Sequence, residues 1–185
     1  SHLPCAIAAL LGAIGIQIGT NLANDYWDAK KGADTEDRLG PVRVTSSGLL
    51  SPRSVFLAML IAFFAAGLAG LYLIYEAGWP VFWIGIISIF CGIIYTAGPF
   101  PLAYMGLGDV FTFVFFGPVA TMGTYYVQAH AISFPALILG CIPGSYSVVL
   151  IALNNLRDRE SDIVVNKKTL AVRFGLAFAR AEIAL

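Results

Sequence analysis

Two short polar motifs with the same spacing contain the side chains best suited to chemistry in this chain. Their polar residues stand at positions i, i+3 and i+7: Asn21, Asn24 and Asp28 in the first, and Asn155, Asp158 and Asp162 in the second. Because an α-helix turns about 100° per residue, these three positions lie on one helical face. Each motif also closes a long apolar segment. We therefore predict two helix ends, each directing its oxygen atoms to one side.

The side chains of these motifs are the oxygen ligands that Mg²⁺ prefers over softer donors such as thiolates. The candidate metal ligands are Asn24, Asp25, Asp28, Asn155, Asp158 and Asp162. Asp28, Asp158 and Asp162 are also the candidate catalytic acids. Helix capping and ion pairing with nearby bases are alternative roles, but neither needs the repeated spacing. Charge beside an apolar membrane segment indicates function, and metal-assisted binding of a polyanion fits best.

The composition predicts an all-α integral membrane protein, a transmembrane helix bundle. Of the 185 residues, 58% are hydrophobic and 12% charged, and the mean hydropathy is +0.80. A helix needs about 20 apolar residues to cross a bilayer. Five segments reach that length: 3–23, 55–75, 79–97, 110–129 and 131–153. A lipid bilayer is therefore an expected partner, and nucleic acid is not.

The chain ends suggest one transmembrane domain, residues 1–185, that is incomplete at both ends. A sixth apolar stretch begins near Thr169 and reaches Leu185 while still short. At the other end, Ser1 leads almost directly into an apolar segment, without the charged region of a signal peptide. We thus expect five complete spans and part of a sixth. Gly15 and Gly19 have the spacing that permits close helix packing.

Basic residues are concentrated in two of the loops between the predicted spans. Nine of the eleven follow either the first or the fifth span: Lys30, Lys31, Arg38, Arg43, Arg53, Arg157, Arg159, Lys167 and Lys168. Five spans place those loops on the same membrane face, which the positive-inside rule makes cytoplasmic. Both polar motifs lie on that face, so they can meet. We predict a multi-pass protein of the plasma membrane with a cytoplasmic-side active site.

The end of the third span and the loop after it add two tyrosines and one acid to that face. Tyr95 and Tyr104 have aromatic-belt positions as their default role, with contact to a carbocation or a diphosphate as the functional alternative. Asp109 is predicted to be the N-cap of the fourth span rather than a metal ligand. Glu160, between the acids of the second motif, is predicted to pair with Arg or Lys and to have no catalytic role.

The two motifs resemble the signatures of the UbiA superfamily of intramembrane aromatic prenyltransferases. The matching segments are Asn24-Asp25-Tyr26-Trp27-Asp28 and Asp158-Arg159-Glu160-Ser161-Asp162. Three complete spans separate the two motif helices, as in the superfamily. Segments 38–43, 106–109 and 168–175 look most like its menaquinone branch, the 1,4-dihydroxy-2-naphthoate polyprenyltransferases. The chain departs from many relatives at Pro99, where they carry a Lys four residues after the Tyr that Tyr95 matches.

The resemblance implies transfer of a polyprenyl group from polyprenyl diphosphate to an aromatic acceptor, 1,4-dihydroxy-2-naphthoate, with decarboxylation. It also implies Mg²⁺ as cofactor and Tyr95 as a catalytic candidate. The candidate contacts to the diphosphate are Arg38, Arg43, Arg157 and Lys168. Other acceptors remain open, among them 4-hydroxybenzoate, homogentisate and chlorophyllide. A cation transporter is the non-enzyme alternative, although transporter sites typically lie near the midplane of the membrane.

Overall fold

The computed structural model describes residues 2–33 and 40–184, and these parts form a bundle of helices. The α-helices are α1 (Leu3–Lys30), α2 (Pro52–Ala77), α3 (Trp79–Ile94), α4 (Gly108–Val114), α5 (Ala120–Ala129), α6 (Phe134–Arg157), α7 (Arg159–Val164) and α8 (Leu170–Ala184). A 3₁₀ turn at Leu102–Met105 precedes α4, and a π-helical turn at Phe115–Val119 joins α4 to α5. The predicted all-α architecture is confirmed. Arg38 lies outside the described residues.

Four helical stretches in the described part of the chain are long and apolar enough to cross a membrane. They are Leu3–Lys30, Pro52–Ala77, Gly108–Ala129 and Phe134–Arg157. With their exposed apolar side chains, these helices make the chain a multi-pass membrane protein. The predicted bounds of the third span were wrong, because α3 has 16 residues and ends at Ile94 rather than at Ala97. Of the five complete spans predicted, four are therefore confirmed as helices of spanning length, and the third is a shorter apolar helix.

Helices α1 and α2 pack closely because α1 carries glycine at the contact. A Cβ atom on Gly15 would lie 2.9 Å from Ala66 Cβ, and one on Gly19 would lie 2.5 Å from Phe63 Cε1. Both distances are shorter than real side chains allow. The glycine pair at positions 15 and 19 thus forms the close helix contact that its spacing predicts.

The membrane-spanning stretch from α4 to α5 packs against α6 backbone to backbone. The added residue of the π-helical turn accommodates Pro118, which has no amide hydrogen to donate. A Cβ atom on Gly117 would lie 2.6 Å from Gly140 O and 2.8 Å from Gly144 Cα. Only hydrogen fits at these three positions. This contact fixes the α4 end of the stretch beside the end of α6, where the second motif begins.

The two polar motifs differ in their helical setting. Helix α1 continues through Asp28 and ends at Lys30. It is followed two residues later by Gly32, whose φ of +67° is a conformation that glycine adopts easily. Helix α6 instead ends at Arg157, and Asp158 has non-helical backbone angles. Asp162 therefore lies on α7, a separate helix. The prediction of one continuous helical face was correct for the first motif and wrong for the second.

Candidate active site

A cavity of about 1130 Å³ runs between the helices and has a polar end where the motifs meet. Asn21, Asn24 and Asp28 all line it, as their spacing along α1 predicts. Asn155 and Asp158 approach from the end of α6. The remainder of the wall is mostly aliphatic and aromatic. The cavity can therefore accommodate a long apolar group with a charged end.

Asp28 is held at the polar end by Tyr104 of the 3₁₀ turn. The side chain is buried, and Tyr104 Oη donates a hydrogen bond of 3.0 Å to Asp28 Oδ1. Two ammonium groups lie near the Tyr104 ring, with Lys31 Nζ 4.5 Å and Lys167 Nζ 5.7 Å from its centroid. Cation–π attraction from both lysines keeps the ring in place. Tyr104 thus lies at the site rather than in an aromatic belt.

Asn24 is oriented by the turn that follows α3. Thr96 Oγ1 donates to Asn24 Oδ1 at 3.0 Å, and Lys31 Nζ donates to the Thr96 carbonyl at 2.5 Å. Thr96 itself is 2% exposed. The amide of Asn24 is therefore fixed by a buried hydroxyl, and the turn at Thr96 is fixed by a lysine from the end of α1.

Asp25 faces the segment before α2 and is not among the cavity-lining residues. Its Oδ2 accepts hydrogen bonds from the Thr45 amide at 3.3 Å and from Thr45 Oγ1 at 3.0 Å. Its Oδ1 is buried and has no hydrogen-bond partner within residues 2–33 and 40–184. Asp25 thus anchors the segment that carries Arg43, a residue that lines the cavity.

In the described part of the chain, the acids of the second motif contact basic neighbours. Arg157 binds both carboxylate oxygens of Asp158 at 2.7 Å, and Lys167 Nζ lies 3.6 Å from Asp162 Oδ1. Asp162 Oδ2 is buried and, in the described part of the chain, has no hydrogen-bond partner. Asp158 lines the cavity, whereas Asp162 is not among the lining residues.

Burial shifts two pKa values at this end of the cavity. It raises the pKa of Asp162 to about 6; Lys167 opposes this rise and the charge of Asp158 adds to it. It also lowers the pKa of Lys31, against the opposing charge of Asp28. Both shifts favour the neutral forms because water cannot solvate the charges fully. Additional positive charge at this end would therefore stabilise its carboxylates.

The candidate diphosphate contacts are divided between two locations. Arg43 and Arg157 line the cavity, but Lys168 lines a separate pocket of about 420 Å³. Lys167, which we did not single out from the sequence, lines the cavity instead. The turn before these lysines includes Asn166 with φ +55°, and this turn decides which neighbour faces inward. The sequence contains no signal that shows which of these two adjacent lysines faces the cavity.

Tyr95 and Asp109 lie together on the cavity wall. Tyr95 follows α3 and lines the cavity rather than an aromatic belt. Helix α4 begins at Gly108 with Leu107 as its N-cap, so the predicted capping role of Asp109 was wrong. Asp109 is 4% exposed and lines the cavity. Its position directly before an apolar segment was the sequence signal that could have drawn attention to it.

Glu160 is directed away from the site, as predicted. Its side chain is 83% exposed, and it forms an ion pair of 2.5 Å with Arg159. Arg159 also donates to the Ala171 carbonyl at 3.1 Å and so links α7 to α8. Glu160 therefore serves as a surface acid beside the second motif.

The donor set at the polar end fits a magnesium ion. All of its candidate ligands are carboxylate or amide oxygens, and the buried Oδ2 of Asp162 lacks a partner in the described residues. Within residues 2–33 and 40–184, no three His, Cys, Asp or Glu side chains converge on one point. A metal ion at this end would therefore leave coordination positions for oxygens of a bound diphosphate.

The fold and the site define the class of protein. The model of the UbiA prenyltransferase family matches residues 1–185, and the chain belongs to this family. This agrees with an all-helical membrane bundle in which two Asn- and Asp-containing motifs meet at one end of an apolar cavity.

Comparison with curated proteins gives similarities to particular members. The 1,4-dihydroxy-2-naphthoate octaprenyltransferase of Mycobacterium tuberculosis is 43% identical over 176 residues, 95% of this chain and 60% of that protein. The protein of the same name in Escherichia coli is 41% identical over 184 residues, 95% of this chain and 59% of the relative. A 2-carboxy-1,4-naphthoquinone phytyltransferase of Synechocystis is 30% identical over 168 residues, with coverages of 90% and 53%. The chain thus spans about three fifths of these first two relatives.

Proposed function

We propose that the protein transfers a polyprenyl group from polyprenyl diphosphate to 1,4-dihydroxy-2-naphthoate, with loss of CO₂, in menaquinone biosynthesis. The observation that carries this proposal is the meeting of both polar motifs at one end of an apolar cavity of about 1130 Å³. Relatives at 39–43% identity are named 1,4-dihydroxy-2-naphthoate octaprenyltransferases, which supports the acceptor. Residues 1–185 are proposed to form one transmembrane prenyltransferase domain, part of a larger one.

The diphosphate is proposed to lie at the polar end, with its tail along the apolar wall. Asn24, Asp28, Asp158 and Asp162 would hold Mg²⁺ there. A bound Mg²⁺ would supply positive charge to the diphosphate oxygens and so stabilise the leaving group. Asp25 and Asn155 support this site, since their side chains bind Thr45 and Asp109.

Basic side chains complete the neutralisation of the diphosphate. Arg43, Arg157 and Lys167 line the cavity and are the proposed contacts. Guanidinium groups bind phosphate oxygens in a fork geometry, while an ammonium acts as a compact charge. The pairing of Arg157 with Asp158 and of Lys167 with Asp162 keeps these bases in reach of the same anion.

The apolar wall of the cavity serves the second half of the reaction. Departure of diphosphate leaves an allylic cation, which water would capture quickly. Side chains such as Phe63, Ile89 and Phe115 line the cavity and exclude water from the reacting carbon. The electron-rich naphthoate ring then attacks that carbon, and loss of CO₂ restores the aromatic ring.

The proposed location is the plasma membrane, with the site on the cytoplasmic side. The basic loops around Arg43 and Lys167 support this orientation through the positive-inside rule. Both motifs lie at one end of the bundle, which argues against a cation transporter with a site at the membrane midplane.

The experiment supplies the full-length membrane protein with Mg²⁺, a polyprenyl diphosphate and several aromatic acceptors. Products are identified by mass spectrometry, and the acceptor carries a labelled carboxylate. We expect prenylated naphthoquinol and labelled CO₂ in equal amounts. Efficient prenylation of 4-hydroxybenzoate with its carboxylate retained, and none of dihydroxynaphthoate, would contradict the acceptor assignment.

A further inference from the structure

Asp109 is a buried acid on the cavity wall that the proposed mechanism leaves without a role. It stands in the first turn of α4 and is 4% exposed. Asn155 Nδ2 donates to its Oδ1 at 3.4 Å, a long hydrogen bond. Within residues 2–33 and 40–184, no other side chain donates to Asp109 and no basic group forms an ion pair with it. A buried carboxylate with one side-chain donor keeps free lone pairs and can accept a hydrogen bond from a hydroxyl group.

The start of α4 lies close to the phenol group of Tyr95. A Cβ atom on Gly108 would lie 2.8 Å from Tyr95 Oη and 3.5 Å from Tyr95 Cζ. Glycine at position 108 therefore allows the Tyr95 hydroxyl to approach the start of α4. Tyr95, Asp109, Thr112 and Asn155 all line the cavity, so they form a polar patch within its wall.

This patch adjoins the polar end of the cavity. Burial raises the pKa of Tyr95, and the charge of Asp109 adds to the rise; Asp28 and Asp162 make smaller contributions. Tyr95 is thus within electrostatic range of the patch and of both motifs. Asn155 also links the patch to the second motif, because it precedes Asp158 by three residues and donates a hydrogen bond to Asp109. A ring held at the patch would lie next to the diphosphate end.

We propose that Asp109, supported by Tyr95 and Asn155, binds one hydroxyl group of the aromatic acceptor and so determines which rings the enzyme accepts. This inference rests on the proposed prenyl transfer. The hydroxyl donates to the carboxylate and keeps its proton, so the contact orients the ring and increases its electron density. A site built to bind a hydroxyl rejects an analogue that lacks it far more strongly than an apolar pocket does.

The test compares acceptors across variants of the full-length protein in membranes. The acceptors are 1,4-dihydroxy-2-naphthoate and its two monohydroxy analogues, 1-hydroxy- and 4-hydroxy-2-naphthoate. The variants are Asp109→Leu and Asp109→Asn, with Glu160→Gln as the control because its side chain is exposed. For each pair, kcat/KM is measured with Mg²⁺ and saturating polyprenyl diphosphate. The lower intrinsic reactivity of a monohydroxy ring cancels in ratios between variants.

We expect the unmodified protein to prefer the dihydroxy acceptor by at least about 100-fold over one analogue. That preference should fall at least about tenfold in Asp109→Leu and by less in Asp109→Asn, while KM for polyprenyl diphosphate stays within about twofold. If Asp109→Leu does not accumulate in membranes, the isosteric Asp109→Asn carries the comparison.

Three outcomes separate the proposals. If the preference for the dihydroxy acceptor is unchanged in the Asp109 variants, the hydroxyl contact is overturned and prenyl transfer stays intact. The same holds if that preference falls equally against both monohydroxy analogues. A rise in KM for polyprenyl diphosphate alone also overturns it. No turnover of dihydroxynaphthoate by the unmodified protein overturns the proposed function itself, and the inference with it.

Discussion

Tyr104 Oη donates a 3.0 Å hydrogen bond to Asp28 Oδ1 across a separation of 76 residues. Because the Tyr104 ring also lies near Lys31 and Lys167, one side chain connects the end of α1 to the loop after α7. Lys167 in turn contacts Asp162 at 3.6 Å. The two motifs are therefore coupled through an aromatic ring, in addition to any ligand that they share.

Replacing Tyr104 should separate the effect of its hydroxyl from that of its ring. Tyr104→Phe removes the hydrogen bond to Asp28 but keeps the cation–π contacts, so we expect kcat/KM to fall about tenfold, the scale of a hydrogen bond to a charged group. Tyr104→Leu also removes the ring and should lose more. Steady-state kinetics in membranes measure both, and equal losses would show that the hydroxyl alone matters.

The acids of the motifs should differ from their neighbour Glu160 in their effect on turnover. Asp28→Asn, Asp158→Asn and Asp162→Asn each remove a proposed metal ligand, and we expect kcat to fall at least about 100-fold. Glu160→Gln should stay within about threefold, because its side chain is exposed and paired with Arg159. Initial rates at several Mg²⁺ concentrations measure this. Similar losses from all four variants would indicate a general effect of charge.

Asp162 should make the stability of the metal-free protein depend on pH. Its pKa in the folded protein is about 6, raised from 3.8 mainly by burial. The folded state then binds this proton more tightly than the unfolded chain, so the stabilisation is complete below about pH 4 and is lost as the pH rises through 6. Asp162→Asn should therefore raise Tm at pH 7.5 and have little effect near pH 4. Thermal unfolding in detergent with a chelator tests this, and a pH-independent difference would contradict it.

The contact between α6 and the π-helical turn should not tolerate a side chain larger than that of glycine. Gly117→Ala places a Cβ atom 2.6 Å from Gly140 O, so we expect a loss of about 1–3 kcal/mol in the free energy of unfolding. Gly85→Ala is the matched control, because a Cβ atom at this position of α3 meets no atom within 4 Å. It should be neutral or stabilising by up to about 1 kcal/mol. Chemical unfolding in detergent distinguishes them, and similar losses would refute the packing argument.

The sequence predicted what depends on local periodicity. The all-helical bundle follows from apolar segment lengths, and the shared face of Asn21, Asn24 and Asp28 follows from the helical repeat. Both hold because α1 is one uninterrupted helix. The same argument failed for Asp162, since the chain leaves the α6 helix at Asp158 and no glycine or proline marks that break.

The remaining features depend on tertiary contacts that a single sequence does not reveal. Lys167 and Lys168 are the same residue type at adjacent positions, and the turn at Asn166 places Lys167 in the cavity wall. Asp109 had the sequence position of a helix cap, but α4 begins one residue earlier and the side chain enters the wall. The role of Tyr104 arises from a partner 76 residues away.

The short third helix has a consequence for the surrounding lipid. Its 16 residues rise about 24 Å, some 6 Å less than a typical hydrocarbon layer. We therefore expect the bilayer to thin beside this helix. A prenyl diphosphate could then bring its head group to the motifs while its tail stays in the acyl layer. We therefore expect the rate of the proposed prenyl transfer to vary with the acyl-chain length of the host lipid.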